Sequence, residues 1–176
     1  MAIEVVDIVM TVVFSASCAC SRVRFRLTSA PMFVHCCHCT DCQRQTGSAF
    51  VINALIEADR VVVESGEVEA IAMPTDSGKP HIVSRCPKCK TALWSTYGGR
   101  EAVRFVRVGT LDEAREIMPD VHIFTRSKVP WVSLPGENAK GSTTGRTPSL
   151  FEVYYDMKAE WPAESLARRK AALVGG

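Results

Sequence analysis

Eight cysteines in a chain of 176 residues collect into three groups. They are Cys18-Ala19-Cys20, then Cys36-Cys37-His38-Cys39-Thr40-Asp41-Cys42, then Cys86-Pro87-Lys88-Cys89. Thiolates one or two residues apart are metal ligands by spacing, because a tight turn aims both sulfurs at one ion. Cys86 and Cys89 form a zinc knuckle, which is half a site. Cys18 and Cys20 are the natural complement, since residues two apart on an extended chain point to the same side. Four thiolates close the coordination shell, the mark of a structural zinc. The alternative is a redox dithiol at Cys86 and Cys89. Pro87 directly after Cys86 and the lack of a nearby βαβ pattern weigh against it.

The middle group suggests different chemistry. Cys37 and Cys39 share one face of an extended segment, and Cys42 returns three residues later as the chain turns. Cys36 and His38 point the other way. Three thiolates leave a fourth position open, which separates a site for chemistry or ligand capture from a structural one. A zinc ion held by three thiolates is a weak Lewis acid and a good acceptor for another soft donor, so a thiol substrate fits better than a zinc-bound hydroxide. The alternative has Cys36 or His38 closing the shell, which would make a second structural zinc.

Short alternating segments position these groups. Arg22-Val23-Arg24-Phe25-Arg26-Leu27 alternates charge with apolar side chains, the pattern of a half-buried strand. Residues 50–56, 61–63, 68–73, 81–84, 92–95, 103–108 and 151–155 are further strand candidates bounded by turn residues. Residues 41–48 read as a short helix closing at Gly47, residues 111–115 as one helical turn, and residues 161–170 as a helix with an early proline and a basic end. Residues 136–149 are polar and glycine-rich and predict an exposed loop. The sum is a mainly β domain with a short C-terminal helix. Its expected parts are a leader and first strand over 1–16, a zinc-binding unit over 17–135, and a loop, strand and helix over 136–176.

Composition adds exclusions. Hydrophobic residues make up 47% of the chain and charged residues 23%, with a net charge of +2. That is ordinary for a globular protein, and no basic excess points to nucleic acid or a membrane surface. Residues 1–13 carry Glu4 and Asp7 and no early Lys or Arg, unlike a secretory signal, and Met10 offers an alternative start. No stretch approaches the roughly 18 uninterrupted apolar residues of a membrane span. A cytoplasmic chain with reduced thiols is expected, in which clustered cysteines bind metal rather than form a disulfide framework.

The ordered motifs resemble one family. Cys18-Ala19-Cys20 with Val23-Arg24-Phe25, then Cys37-His38-Cys39-Thr40-Asp41-Cys42-Gln43-Arg44-Gln45-Thr46-Gly47-Ser48, then Cys86-Pro87-Lys88-Cys89, is similar to the glutathione-dependent formaldehyde-activating enzymes, also called the centromere protein V family. His122-Ile123-Phe124-Thr125-Arg126-Ser127-Lys128 with Trp131 resembles the family's downstream motif, so the likeness spans about residues 17–134. The resemblance implies an Mss4-like fold of coiled antiparallel sheets with two zinc ions. One is structural, on Cys18, Cys20, Cys86 and Cys89; the other is held by Cys37, Cys39 and Cys42. It implies condensation of glutathione with formaldehyde to S-hydroxymethylglutathione, a carbon–sulfur lyase reaction in reverse.

Arg44 is the first candidate for a glutathione carboxylate, with Arg85, Arg126 and Lys128 as others; a solvated surface charge is the competing reading of each. His122 reads as a core histidine and His38 as a structural one. Cys36 is an extra thiol. A thiol carrier without turnover and a zinc-stabilised protein-interaction module are the alternatives to an enzyme. Methionine sulfoxide reductase chemistry on the same fold needs a late nucleophilic cysteine, and none follows Cys89.

Overall fold

The computed structural model describes residues 13–134 and 147–174. Most of the expected leader and of the expected polar loop lie outside the described residues. Two sheets form. Strands β1 (Phe14–Ser17), β2 (Arg24–Leu27) and β5 (Val61–Ser65) make a three-stranded antiparallel sheet in the order β1-β2-β5. The alternation of β2 is realised: Phe25 and Leu27 are fully buried, Arg24 and Arg26 exposed. Gly66 follows β5 at φ 82°, and a Cβ there would collide with the Arg22 carbonyl, so only glycine closes this turn.

The second sheet has eight strands. They are β3 (Phe33–Cys37), β4 (Val51–Glu57), β6 (Glu69–Ala72), β7 (His81–Arg85), β8 (Ala92–Tyr97), β9 (Val103–Arg107), β10 (Val121–Ile123) and β11 (Ser149–Leu150), in the order β11-β10-β3-β4-β9-β8-β7-β6. From β3 to β6 every pairing is antiparallel. The family-based expectation of antiparallel sheets needs one correction, because β10 runs parallel to both β3 and β11. Since β9 already runs parallel to β3, reaching β10 requires a crossover of about a dozen residues. Residues 108–120 supply it, with 3-10 turns at Val108–Thr110 and Ala114–Glu116 where one helical turn was expected over 111–115.

The large sheet uses both faces. Val34, Ala54, Ile56 and Val106 pack against Phe25 and Leu27 of the small sheet and form one core. Phe25 meets Trp94 edge-on at 5.2 Å. On the opposite face Phe33, Leu55 and Val103 pack under Tyr155 and Trp161, with Phe33 and Trp161 stacked at 5.1 Å. Burial of each such side chain stabilises the fold by about 1.5–3 kcal/mol.

Among the described residues there are three α-helices: α1 (Thr40–Thr46), α2 (Met157–Glu160) and α3 (Ala163–Val174). Gly47 caps α1 at φ 64°, matching the helix expected there. The strand expected over 151–155 is not formed. Only Ser149 and Leu150 pair with β10, after which the chain leaves the sheet and stacks Tyr154 on Tyr155 at 4.8 Å. Helix α3 starts after Pro162 and runs past the expected end at residue 170. It is docked by Ser165, whose hydroxyl donates to the Met32 carbonyl at 2.6 Å, and by Arg168, which donates to both Glu57 oxygens at 2.8 and 2.7 Å.

Candidate metal centres and the adjoining cavity

Cys18, Cys20, Cys86 and Cys89 converge so that their sulfurs lie within 4.8 Å of one another. Two similar turns present them. Ser21 N–H donates to Cys18 O at 2.9 Å with Ser21 at φ 57°; Lys90 N–H donates to Cys86 O at 2.9 Å with Lys90 at φ 60°. Cys18 Sγ lies 3.5 Å from Cys20 Sγ, and Cys20 Sγ 3.9 Å from Cys86 Sγ. Four thiolates about 2.3 Å from one tetrahedral ion stand about 3.8 Å apart, so the spacing fits zinc. The Thr91 hydroxyl and backbone N–H bring the Cys89 thiol down to about 5. The cluster lies at the margin of the inter-sheet core, with Cys18 and Cys86 fully buried.

Cys37, Cys39 and Cys42 form a second cluster, again within 4.8 Å. Cys37 ends β3, Cys39 caps α1, and Cys42 sits in its first turn, where its N–H donates to Cys39 Sγ at 3.4 Å. Gln43 clamps the helix in place through its side-chain amide, which donates to His38 O at 2.7 Å and Ser127 O at 2.9 Å. Hydrogen bonds from Cys37 and Cys42 bring the Cys39 thiol down to about 2, and the same sulfur contacts drive Cys37 up. Three adjacent sulfurs cannot all ionise unaided; a bound cation removes that restriction. The donor set fits an open three-thiolate ion.

These sulfurs line one end of a cavity of about 710 Å³. Its wall is the face of the large sheet that carries His35, Asn53, Ser95 and Arg107. Pairing of His35 with Asn53 and of Asn53 with Arg107 sets those three side by side across β3, β4 and β9. Arg107 is 8% exposed and donates to Asn53 Oδ1, while its Nε finds no partner. Among the described residues no carboxylate is paired with this buried guanidinium. Burial pulls its pKa down, and Cys42 and Cys37 oppose that pull. A buried cation needs a charge partner, and the thiolates supply it. At the rim stand Lys79, Arg100, Arg126 and Arg169, with Asp41 and Asp76 as the opposing charges. His81 also lines the cavity and takes the Gln45 amide on Nδ1 at 3.3 Å.

The arginine expectation changes here. Arg44 is exposed and does not line the cavity. A helical residue two past a ligand is turned about 200° from it, so α1 carries Arg44 away from Cys42. Arg85 lines a different groove, beside Cys89, and Lys128 donates to the Val129 and Val132 carbonyls. Of the named candidates only Arg126 reaches the cavity. Arg107 went unnoticed because arginine at that position reads as the polar side of a strand; its burial beside sulfur needs the β4–β9 register. Cys36 and His38 turn away from Cys37, as expected, and meet His122 on the far side of β3.

A mainly β fold with cysteine clusters able to hold metal defines the class. The family model described as "Glutathione-dependent formaldehyde-activating enzyme" matches residues 13–127, well over half the chain, and the protein belongs to that family. Among solved structures, a Rhodobacter sphaeroides protein is similar at 18% identity with a TM-score of 0.43, over 56% of this chain and 87% of that one. No curated protein matches. Among the described residues no helix is long and apolar enough to cross a membrane.

Proposed function

We propose that this protein is a two-zinc carbon–sulfur lyase or synthase acting on a glutathione-like thiol adduct such as S-hydroxymethylglutathione, in the cytoplasm. Family membership supports the reaction class. The observation that carries the reading is the three-cysteine cluster opening onto a cavity with a cationic rim. Cys18, Cys20, Cys86 and Cys89 would hold a structural zinc within one domain that includes the C-terminal helix. Cys37, Cys39 and Cys42 would hold the second.

In the synthetic direction a thiol adds to formaldehyde: a carbon–sulfur bond forms, the carbonyl π bond breaks, and the thiol proton ends on oxygen. The second zinc would supply a soft acceptor for the substrate's sulfur. Arg107 offsets the negative charge of the three thiolates. Because Gln45 donates to His81 Nδ1, the neutral ring carries its proton on Nε2 and can donate to the aldehyde oxygen in the cavity. The rim cations Arg100, Arg126 and Arg169 suit a thiol carrying carboxylates, and Leu55, Val103 and Phe105 exclude water beneath it.

Exchange spectroscopy with 13C-formaldehyde and reduced glutathione tests this reading. The metal-loaded protein should accelerate interconversion of free and adduct carbon, and His81→Ala should lose most of that acceleration. Binding of glutathione without acceleration would favour the thiol carrier instead.

A further inference from the structure

The three-cysteine cluster uses one face of β3, and the opposite face carries donors for which the proposed reaction has no use. Phe33, His35 and Cys37 face the cavity side; Val34 and Cys36 face away. His38 N–H donates to Ile123 O at 3.0 Å and continues the parallel pairing in which His122 lies across from Cys36. Three side chains therefore meet. Cys36 Sγ is 3.5 Å from His38 Nε2, and His38 Nε2 is 2.9 Å from His122 Nδ1. All three donor atoms lie within 4.8 Å of one another. The residues are 2%, 0% and 6% exposed, respectively.

Hydrogen bonding alone accounts poorly for this arrangement. A ring nitrogen carries one proton or one lone pair, so His38 Nε2 serves only one of its two neighbours. The outer atoms, His38 Nδ1 and His122 Nε2, are buried and without a partner among the described residues, and they stay so whether the inner nitrogens share a proton or an ion. What the geometry shows is three donors gathered at one point, the Cys36 sulfur and the two inner ring nitrogens. An ion at the meeting point would engage the sulfur and both inner lone pairs together. Bonds of about 2.3 Å to sulfur and about 2.0 Å to nitrogen place such donors about 3–4 Å apart.

We propose that Cys36, His38 and His122 form a third metal site, taking one borderline-soft d10 ion, Cu+ or Zn2+, between β3 and β10. One thiolate with two imidazoles is a donor set that copper and zinc accept, whereas Mg2+ and Ca2+ require oxygen ligands. The site is dry and does not open onto the cavity, so its role is to fasten β10 to β3 behind Cys37. It does not rest on the lyase reading.

The test loads the full-length protein with excess Zn2+ in one arm and with anaerobic Cu+ in the other, removes unbound ions, and measures total metal per chain. Wild type should hold three ions in at least one arm, which identifies the metal. Cys36→Ala and His122→Phe should each hold one fewer, with unchanged circular dichroism. Equal metal totals in wild type and in folded Cys36→Ala in both arms, including simple exchange of copper for zinc, overturn the proposal. So does a folded Cys36→Ala that retains three. Should either variant fail to fold, X-ray absorption of copper-loaded wild type decides: imidazole nitrogen in the copper shell supports the site, because the other two clusters offer only sulfur, and a sulfur-only shell refutes it. Loss of an ion in Cys39→Ser reports on the other cluster and leaves this comparison intact.

Discussion

The buried Arg107 guanidinium feels the charge of Cys42 and Cys37 and is held by Asn53 from across the strand pair. On the proposed reading, three thiolates around a divalent ion would leave one negative charge, and Arg107 would neutralise it inside the sheet wall. Replacing Arg107 by methionine keeps the volume and removes the charge. Affinity of the Cys37 cluster for zinc should then fall about 10- to 100-fold, measured by chelator competition. Unchanged affinity would mean the pair carries no energetic weight. On the proposed reading the cysteines separate by role. Cys89→Ser should unfold the domain or lower its melting temperature sharply, because a structural zinc contributes folding free energy directly. Cys39→Ser should lose one metal ion and stay folded. Metal analysis beside thermal melts tells the two apart, and unfolding of Cys39→Ser would make both centres structural.

The C-terminal helix is tied on by a few contacts. Arg168 bridges α3 to Glu57 at the end of β4, with 19% and 7% of the two side chains exposed. Breaking a mostly buried pair strands a charge, so Arg168→Ala should cost about 2–3 kcal/mol in denaturant unfolding, at the low end because Arg60 stays 3.4 Å from Glu57. Burial pushes the Glu57 carboxyl up, but the Arg168 hydrogen bonds win and hold it below its ordinary value. The folded state therefore binds its proton less readily than the unfolded chain. The pair's stabilisation is present above the usual glutamate range near pH 4.3 and is lost as pH falls below it. Wild type and Arg168→Ala should converge in stability on acidification; a constant gap would contradict this. Half-buried elements such as β2 were readable from alternation. Strand β3 was not, because Phe33–Cys37 is buried on both faces and shows no period of two. The tail was misread because Phe151, Val153 and Tyr155 alternate like a strand, whereas Phe151, Tyr154 and Tyr155 gather as an aromatic cover and Val153 is exposed.

At the scale of the molecule, β3 is where the chemistry concentrates. One face brings Cys37 to the cavity and the other brings Cys36 to His122, while the knuckle cysteines sit between the sheets on the first core. The division of eight cysteines into four, three and one was legible from spacing. The partners of the single one were not, because His122 meets His38 from 84 positions away. Nor could spacing show which arginines enter the cavity, since that depends on strand register and helix phase. The central claim is that the Cys37 cluster captures a thiol. Calorimetric titration of the metal-loaded protein with reduced glutathione tests it most directly. The account predicts saturable heat for one site per chain in wild type and none in Cys39→Ser. A flat titration of wild type, with glutathione and with smaller thiols alike, would contradict it.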